Sequence, residues 1–128
     1  MPPSEKSKKR ILIAEDERAY SRALVLKLQN SGFYAESVPN GEEALSLIER
    51  SHFDLLVCDL IMPIVNGFEV LERLQKKNNK IPILVLSNLS QEEDEKKARS
   101  LGATDFISKS DTPIAEVIRR VEQLFQKK

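Results

Sequence analysis

The sequence lacks several features that would point to particular classes of protein. It contains no tryptophan, one cysteine and one histidine in 128 residues. The single cysteine, Cys58, cannot form an internal disulfide, so we expect a reduced, cytoplasmic setting. No apolar run approaches the roughly 20 residues that a membrane-spanning helix needs. Twenty basic residues balance twenty acidic ones, so the charge gives no sign of nucleic acid or a membrane surface as a partner.

The length of the chain suits one domain with one hydrophobic core. The basic stretch at residues 1–8 is followed by a short apolar run, 11–14, that ends at an acid, which excludes a secretory signal. We therefore predict a flexible tail at 1–8 and a single domain at 9–128. From the start at Met1 and a helical pattern that reaches almost to the last residue, we expect a stand-alone protein without a second domain.

Short apolar segments alternate with segments that carry helix signals. The apolar segments are 11–14, 33–38, 55–58, 83–86 and 104–108. This alternation predicts an α/β fold with a five-stranded parallel sheet and helices on both faces. The first, third and fourth segments are continuously apolar, as buried central strands are, whereas the second and fifth contain polar residues and are expected at the edges. The pattern predicts a flavodoxin-like, doubly wound (βα)5 fold with strand order 2-1-3-4-5.

Capping residues mark the starts of the predicted helices. They are Asn40 before Glu43, Asn66 before Glu69, a capping box at residues 90–93, and Thr112 followed by Pro113. The first helix is predicted from about Glu17 to Asn30. The fourth helix, which follows the capping box, has almost no apolar residue before Leu101. We expect it to pack weakly and to lie among the least stable parts of the fold.

Polar residues follow four of the predicted strands at their carboxyl ends. Glu15 and Asp16 follow the first strand, Asp59 the third and Ser87 the fourth, and Lys109 follows the fifth. Because the carboxyl ends of neighbouring parallel strands share one edge, we expect these side chains to meet. Clustered carboxylates repel unless a cation joins them, and Mg²⁺ (or Mn²⁺) prefers such ligands together with water and phosphate oxygens. The group is suited to the transfer of a phosphoryl group to an aspartate.

Taken singly, most of these residues also have a purely structural interpretation. Asp16 is a favoured residue for capping the first helix, and Glu15 suits the positive end of a helix dipole. Ser87 suits a loop, and Lys109 suits a solvated surface. Asp59 resists such an interpretation, because its neighbours are apolar and no helix begins directly after it. The lone histidine, His52, is expected on the surface at the opposite end of the sheet.

Four motifs together resemble the receiver domain of two-component response regulators. They are ILIAEDE at 11–17, LLVCDLIMPIVNGFEVL at 55–71, ILVLSN at 83–88 and GATDFISK at 102–109. The resemblance covers about residues 9–126. It implies that Asp59 accepts a phosphoryl group from a sensor histidine kinase or a phosphotransfer protein. It also implies that Asp16, Asp59 and the backbone carbonyl of Ile61 bind Mg²⁺, with Glu15 acting mainly through a metal-bound water.

The same resemblance implies how the signal leaves the domain. Ser87 and Phe106 occupy the two switch positions, and Lys109 matches the lysine that pairs with the phosphoryl group. The output is expected at a surface built from the fourth helix, the fifth strand and the fifth helix. Two positions depart from the family pattern. Ser110 replaces a proline after Lys109, which leaves the isomer of that peptide bond open, and Asn88 replaces a small residue beside Ser87, where it is expected to restrict access to the phosphoryl group.

Other functions leave different sequence signals. A phosphatase of the haloacid dehalogenase type needs a second acid two residues after its nucleophile, where this chain has Ile61. A flavodoxin needs a phosphate-binding loop after its first strand, where this chain is acidic. We expect a signalling module rather than an enzyme, monomeric or weakly dimeric when phosphorylated, without direct contact to nucleic acid or membranes. Two alternatives stay open: a receiver that belongs to a larger DNA-binding regulator, and a receiver that works without phosphorylation.

Overall fold

The computed structural model describes residues 8–89 and 91–126. In these ranges five strands and five helices alternate: β1 Arg10–Ala14, α1 Arg18–Asn30, β2 Tyr34–Val38, α2 Gly41–Arg50, β3 Leu55–Cys58, α3 Gly67–Lys76, β4 Ile83–Ser87, α4 Glu92–Ser100, β5 Asp105–Ser108 and α5 Ile114–Gln126. The strands pair in parallel in the order β2-β1-β3-β4-β5. The predicted flavodoxin-like fold is confirmed. The predicted tail lies outside the described residues apart from Lys8, and so does Ser90 of the predicted capping box.

The sheet separates two hydrophobic clusters, because successive side chains of a strand point to opposite faces. In β1, Leu12 and Ala14 belong to the cluster that α2, α3 and α4 cover. Ile11 and Ile13 belong to the cluster that α1 and α5 cover. None of the helices in the described ranges has the length and apolar character needed to span a membrane.

Burial along the strands follows the apolar pattern that predicted their order. Every residue of β3 and β4 is buried, and β1 is buried apart from Arg10. The edge strands β2 and β5 each contain residues that are partly or fully exposed. A parallel strand needs a continuous apolar sequence only where helices cover both of its faces, which explains why the order could be predicted.

The predicted helix starts are correct at α2 and α3 and shifted at the other three. The N-cap of α4 is Gln91 rather than the predicted Ser90, and Gln91 makes no side-chain capping hydrogen bond. The side chains of Asn40 and Asn66 accept hydrogen bonds from the amides of Glu43 and Glu69, three residues further on. Glu17 is the N-cap of α1, so the capping interpretation of Asp16 is wrong. α5 begins at Ile114, one residue after the predicted proline.

The weak packing predicted for the fourth helix is visible in α4. Ala98 is the single buried residue among its nine. The other side chains are mainly charged, and they form ion pairs along the helix surface that contribute little stability. The low local stability of α4 stays a prediction.

The loop between β3 and α3 contains a strained residue, Ile64. Its φ is 70°, in the left-handed region that a β-branched residue rarely adopts. The residue is 72% exposed, so little packing would be lost with its side chain. We expect Ile64→Gly to raise the free energy of unfolding by about 1 kcal/mol, because glycine adopts this conformation without strain. Urea unfolding followed by circular dichroism measures the change.

Asn78 provides the matched control for this prediction. Its φ is 54°, but asparagine tolerates the left-handed region. We therefore expect Asn78→Gly to change the free energy of unfolding by only a few tenths of a kcal/mol. Equal changes at the two positions would contradict the assignment of strain to Ile64.

Candidate functional site

Three carboxylates meet at the carboxyl edge of the sheet. Carboxylate oxygens of Glu15, Glu17 and Asp59 lie within 4.8 Å of one another. Glu15 follows β1, and its Oε2 accepts a hydrogen bond of 2.9 Å from the amide of Glu17. Asp16 lies between them in sequence and is exposed. Glu15 and Asp59 therefore meet as predicted, whereas the third acid of the group is Glu17 rather than Asp16.

Asp59 is held at the end of the central strand β3. Its amide donates a 3.0 Å hydrogen bond to the carbonyl of Ala14, which fixes it beside the end of β1. Its Oδ1 accepts a hydrogen bond of 3.2 Å from the amide of Ile61. The residue is only 7% exposed. A carboxylate this deeply buried needs charged or hydrogen-bonding partners, because burying an unpaired charge is costly.

Lys109 supplies the positive charge of the site. Its Nζ donates to Glu15 Oε1 at 2.6 Å, to Glu17 Oε1, and to Asp59 Oδ2 at 3.4 Å. Its amide donates a 2.9 Å hydrogen bond to the carbonyl of Ser87, which joins the ends of β4 and β5. Its side chain is only 5% exposed. The amino group also lies 4.7 Å from the centre of the Tyr20 ring, a favourable position for a cation.

The buried charges shift one another's pKa values. Burial raises the pKa of Glu15 to about 7, because it outweighs the hydrogen bond that Lys109 donates. Burial lowers the pKa of Lys109, but the hydrogen bonds to Glu15 and Glu17 reverse this effect, so the pKa rises above its ordinary range. Burial also raises the pKa of Cys58, which lies next to Asp59, so its thiol is inert at neutral pH.

The site opens to the surface through a shallow hollow. The hollow has a volume of about 230 Å³ and is lined by Asp16, Glu17, Asp59, Ile61 and Asn88. Asp16, which is absent from the carboxylate group, therefore borders the opening beside Asp59. Three carboxylates and one ammonium leave an excess of negative charge among hard oxygen ligands. This donor set fits a small divalent cation such as Mg²⁺.

The other predicted residues lie along β4 and β5. Ser87 is completely buried, and its hydroxyl accepts a 3.3 Å hydrogen bond from the amide of Leu89, so its own proton can still be donated elsewhere. Phe106 is partly buried and packs against the core. Within residues 8–89 and 91–126 no peptide bond is cis, so the bond between Lys109 and Ser110 is trans.

The carboxylate of Asp105 joins the edge strand β5 to α4 and α5, away from the acidic group. Asp105, in β5, pairs with Arg120 of α5 at 2.5 Å and with Arg99 of α4 at 3.5 Å. His52, as predicted, is exposed, and it pairs with Asp54 at 2.9 Å. These contacts lie outside the acidic group and involve none of its members.

The comparison with known proteins agrees with this geometry. The family described as response regulator receiver domain matches residues 11–122. The probable transcriptional regulator ycf27 of Porphyridium aerugineum is 38% identical over 122 residues, which cover 91% of this chain and 50% of that protein. The 14.6 kDa protein of the sodA1 3′ region of Leptolyngbya boryana is 36% identical over 115 residues, which cover 88% of this chain and 87% of that protein.

Solved structures give the same result for the fold. The non-phosphorylated HemR receiver domain of Leptospira biflexa has a TM-score of 0.87 and 30% identity, and the match covers 94% of this chain and 97% of that one. The chain spans about half the length of several curated relatives that it matches, among them probable transcriptional regulators.

Proposed function

The chain belongs to the response regulator receiver domain family, and from this premise we propose that Asp59 accepts a phosphoryl group from a histidine kinase or a phosphotransfer protein. One observation carries the proposal: the buried carboxylate of Asp59 stands at the end of the central strand, 3.4 Å from the ammonium of Lys109. In the transfer, a carboxylate oxygen of Asp59 forms the new bond to phosphorus while the bond from phosphorus to the donor's histidine nitrogen breaks.

Two side chains of this chain are expected to stabilise the phosphoryl group during the transfer. Lys109 provides a fixed positive charge for the phosphoryl oxygens, and the hydroxyl of Ser87 provides a hydrogen-bond donor. Asn88 borders the hollow through which the phosphodonor must reach Asp59. We expect its side chain to slow both the arrival and the hydrolysis of the phosphoryl group. On this view the domain is a signalling module and not a classical enzyme.

The acidic group fits Mg²⁺ or Mn²⁺ as a cofactor. Asp16, Asp59 and the backbone carbonyl of Ile61 would bind the ion directly, and Glu15 would bind it mainly through water. Three of these four residues line or directly flank the hollow. The bound cation would neutralise the negative charge that the phosphoryl group brings to three nearby carboxylates.

The output of the domain is expected at the surface of α4, β5 and α5. Ser87 and Phe106 lie in the adjacent strands β4 and β5 and are the switch residues of this proposal. The sparse packing of α4 supports it, because a helix with one buried residue can move at little cost. The downstream partner is a protein, or a further domain of a longer chain. Relatives about twice the length of this chain, such as the probable transcriptional regulator of Porphyridium aerugineum, are consistent with the second case without favouring it.

Incubation with acetyl phosphate, with and without Mg²⁺, tests the proposal. Mass spectrometry should detect one added phosphoryl group, only when Mg²⁺ is present, and none in Asp59→Asn. Asp94→Asn removes a carboxylate from α4 and should leave the modification unchanged. A receiver that works without phosphorylation predicts no modification of the wild-type chain. Modification that persists in Asp59→Asn would rule out Asp59 as the acceptor.

A further inference from the structure

The hydrogen bonds of Lys109 leave no free donor for an incoming phosphoryl group. A lysine ammonium carries three N–H donors and no acceptor. Here these donors face three carboxylates: Glu15 at 2.6 Å, Asp59 at 3.4 Å, and Glu17. A phosphoryl group on Asp59 adds strong acceptor oxygens beside the same ammonium. The donor that faces Asp59 can turn to one of these oxygens, but a second bond to the phosphoryl group requires Lys109 to release Glu15 or Glu17.

Burial determines which partner is released. The side chain of Glu15 is 3% exposed, so releasing it would leave a buried carboxyl group without its hydrogen-bond partner, which is unfavourable. The side chain of Glu17 is 59% exposed, so its carboxylate can return to water. Asp59 carries the phosphoryl group itself and stays in place. Glu17 is therefore the partner that Lys109 can give up most easily.

We propose that Glu17 is a positioning residue that holds Lys109 in the resting state and opposes its transfer to the phosphoryl group. This inference rests on the proposed function of Asp59. Glu17 acts through Lys109, because its carboxylate occupies the donor that the phosphoryl oxygens require. It also lines the hollow that leads to Asp59, so the exchange of partners takes place at the entrance of the site. The chain thereby favours its unphosphorylated state through a residue that takes no part in the chemistry.

The affinity for beryllofluoride, a mimic of the phosphoryl group, measures at equilibrium how strongly Glu17 opposes the transfer of Lys109 to that group. With saturating Mg²⁺, a titration followed by amide NMR should show about two- to fivefold tighter binding to Glu17→Gln than to the wild-type chain, the range expected for a partly exposed ion pair. Glu122→Gln removes the same charge from an exposed position on α5 and should bind as the wild type does. An equal gain in both variants would indicate general charge repulsion and would overturn the proposal.

The resonance of the Lys109 side-chain ammonium provides a readout that a merely structural role would not move. It should shift in Glu17→Gln without any beryllofluoride, because one of its three acceptors is weakened. In the wild-type chain it should shift again when beryllofluoride binds. A resonance that is unchanged in Glu17→Gln would show that the ion pair does not form in solution, and the proposal would fail.

Two further results separate this inference from its alternatives. If Glu17 were a metal ligand, Glu17→Gln would weaken Mg²⁺ binding more than tenfold, and that result would overturn the positioning role. Beryllofluoride binding that requires Asp59 but is the same in Glu17→Gln would contradict this inference alone. An absence of beryllofluoride binding in the wild-type chain would contradict the proposed function and, with it, this inference.

Discussion

Replacing Lys109 with methionine is expected to lower the free energy of unfolding by about 3–5 kcal/mol at pH 8, the range for breaking a buried ion pair. The substitution keeps most of the side-chain volume but removes the charge that compensates Glu15 and Asp59. Both carboxylates are almost completely buried, so neither can recover the lost interaction from water. Urea unfolding followed by circular dichroism, in a buffer that chelates metal ions, measures the loss.

This loss should depend on pH in a defined direction. The pKa of Glu15 is raised from 4.5 to about 7 in the folded chain. A raised pKa means that the folded state favours the protonated acid, so the contribution of Glu15 to stability is full below pH 4.5 and disappears as the pH rises through about 7. Without Lys109 the pKa of Glu15 should rise further. The loss in Lys109→Met should therefore be largest above pH 7 and should shrink towards pH 5.

Lys76→Met is the matched control for this experiment. Lys76 lies on α3, its side chain is 75% exposed, and its pair with Glu72 spans 4.0 Å. We expect a change within about 0.5 kcal/mol, as for most surface substitutions. A similar loss in both variants, or a loss in Lys109→Met that is the same at pH 5 and pH 8, would contradict the view that Lys109 compensates buried carboxylates.

The second large effect is expected at Gly67, the first residue of α3. A Cβ atom there would lie 2.2 Å from the carbonyl oxygen of Asp59 and 2.6 Å from the Cα of Leu60. Both are backbone atoms, so no side chain can rotate away. We expect Gly67→Ala to lower the free energy of unfolding by about 3 kcal/mol or more, because α3 must separate from the end of β3. The same separation should displace Asp59 and reduce its modification by acetyl phosphate.

Gly102→Ala distinguishes this close contact from ordinary backbone strain. Gly102 has a φ of 105°, and a Cβ atom there would meet nothing within 4 Å. We expect a loss of about 1–2 kcal/mol from the strained conformation alone, with the modification of Asp59 unchanged. Equal losses in the two variants, with Asp59 fully reactive in both, would show that α3 can move away from β3 without disturbing the site.

The sequence allowed the fold to be predicted because the strand order depends on burial. Strands covered on both faces must be continuously apolar, and edge strands need not be, so composition alone separates β1, β3 and β4 from β2 and β5. The caps at Asn40 and Asn66 were equally predictable, because each bond joins residues three positions apart. The exact starts of α1, α4 and α5 were not, because the ends of helices vary by one or two residues around their sequence signals.

The members of the acidic group could be predicted only in part from the sequence. Glu15, Asp59 and Lys109 were predicted to meet because they end neighbouring strands, and they do. Glu17 was missed because the direction of each side chain after Ala14 depends on backbone angles beyond the strand. The chain bends at Asp16, and the amide of Glu17 donates a hydrogen bond to the side chain of Glu15, so Glu15 and Glu17 share the group while Asp16 does not. A bend between a strand and a helix follows no fixed period, so no pattern in the sequence identified Glu17.

The reason for a glycine at residue 67 could not be predicted from the sequence either. Gly67 belongs to the motif at residues 55–71, and its φ lies outside the positive range in which Gly32 and Gly102 are found. Its lack of a side chain is required instead by the distance to the backbone of Asp59. Such a contact joins residues eight positions apart through the path of a loop, and no local pattern in the sequence reports it.

Asp105 makes the two helices of the proposed output surface unequal. It pairs with Arg120 of α5 at 2.5 Å but with Arg99 of α4 at only 3.5 Å. α5 also has three buried apolar residues, whereas α4 has one. When this surface rearranges, the longer pair should separate first, so that α4 moves while α5 remains attached to β5. A partner that contacts only α5 would therefore bind both signalling states equally, and one that distinguishes them must contact α4.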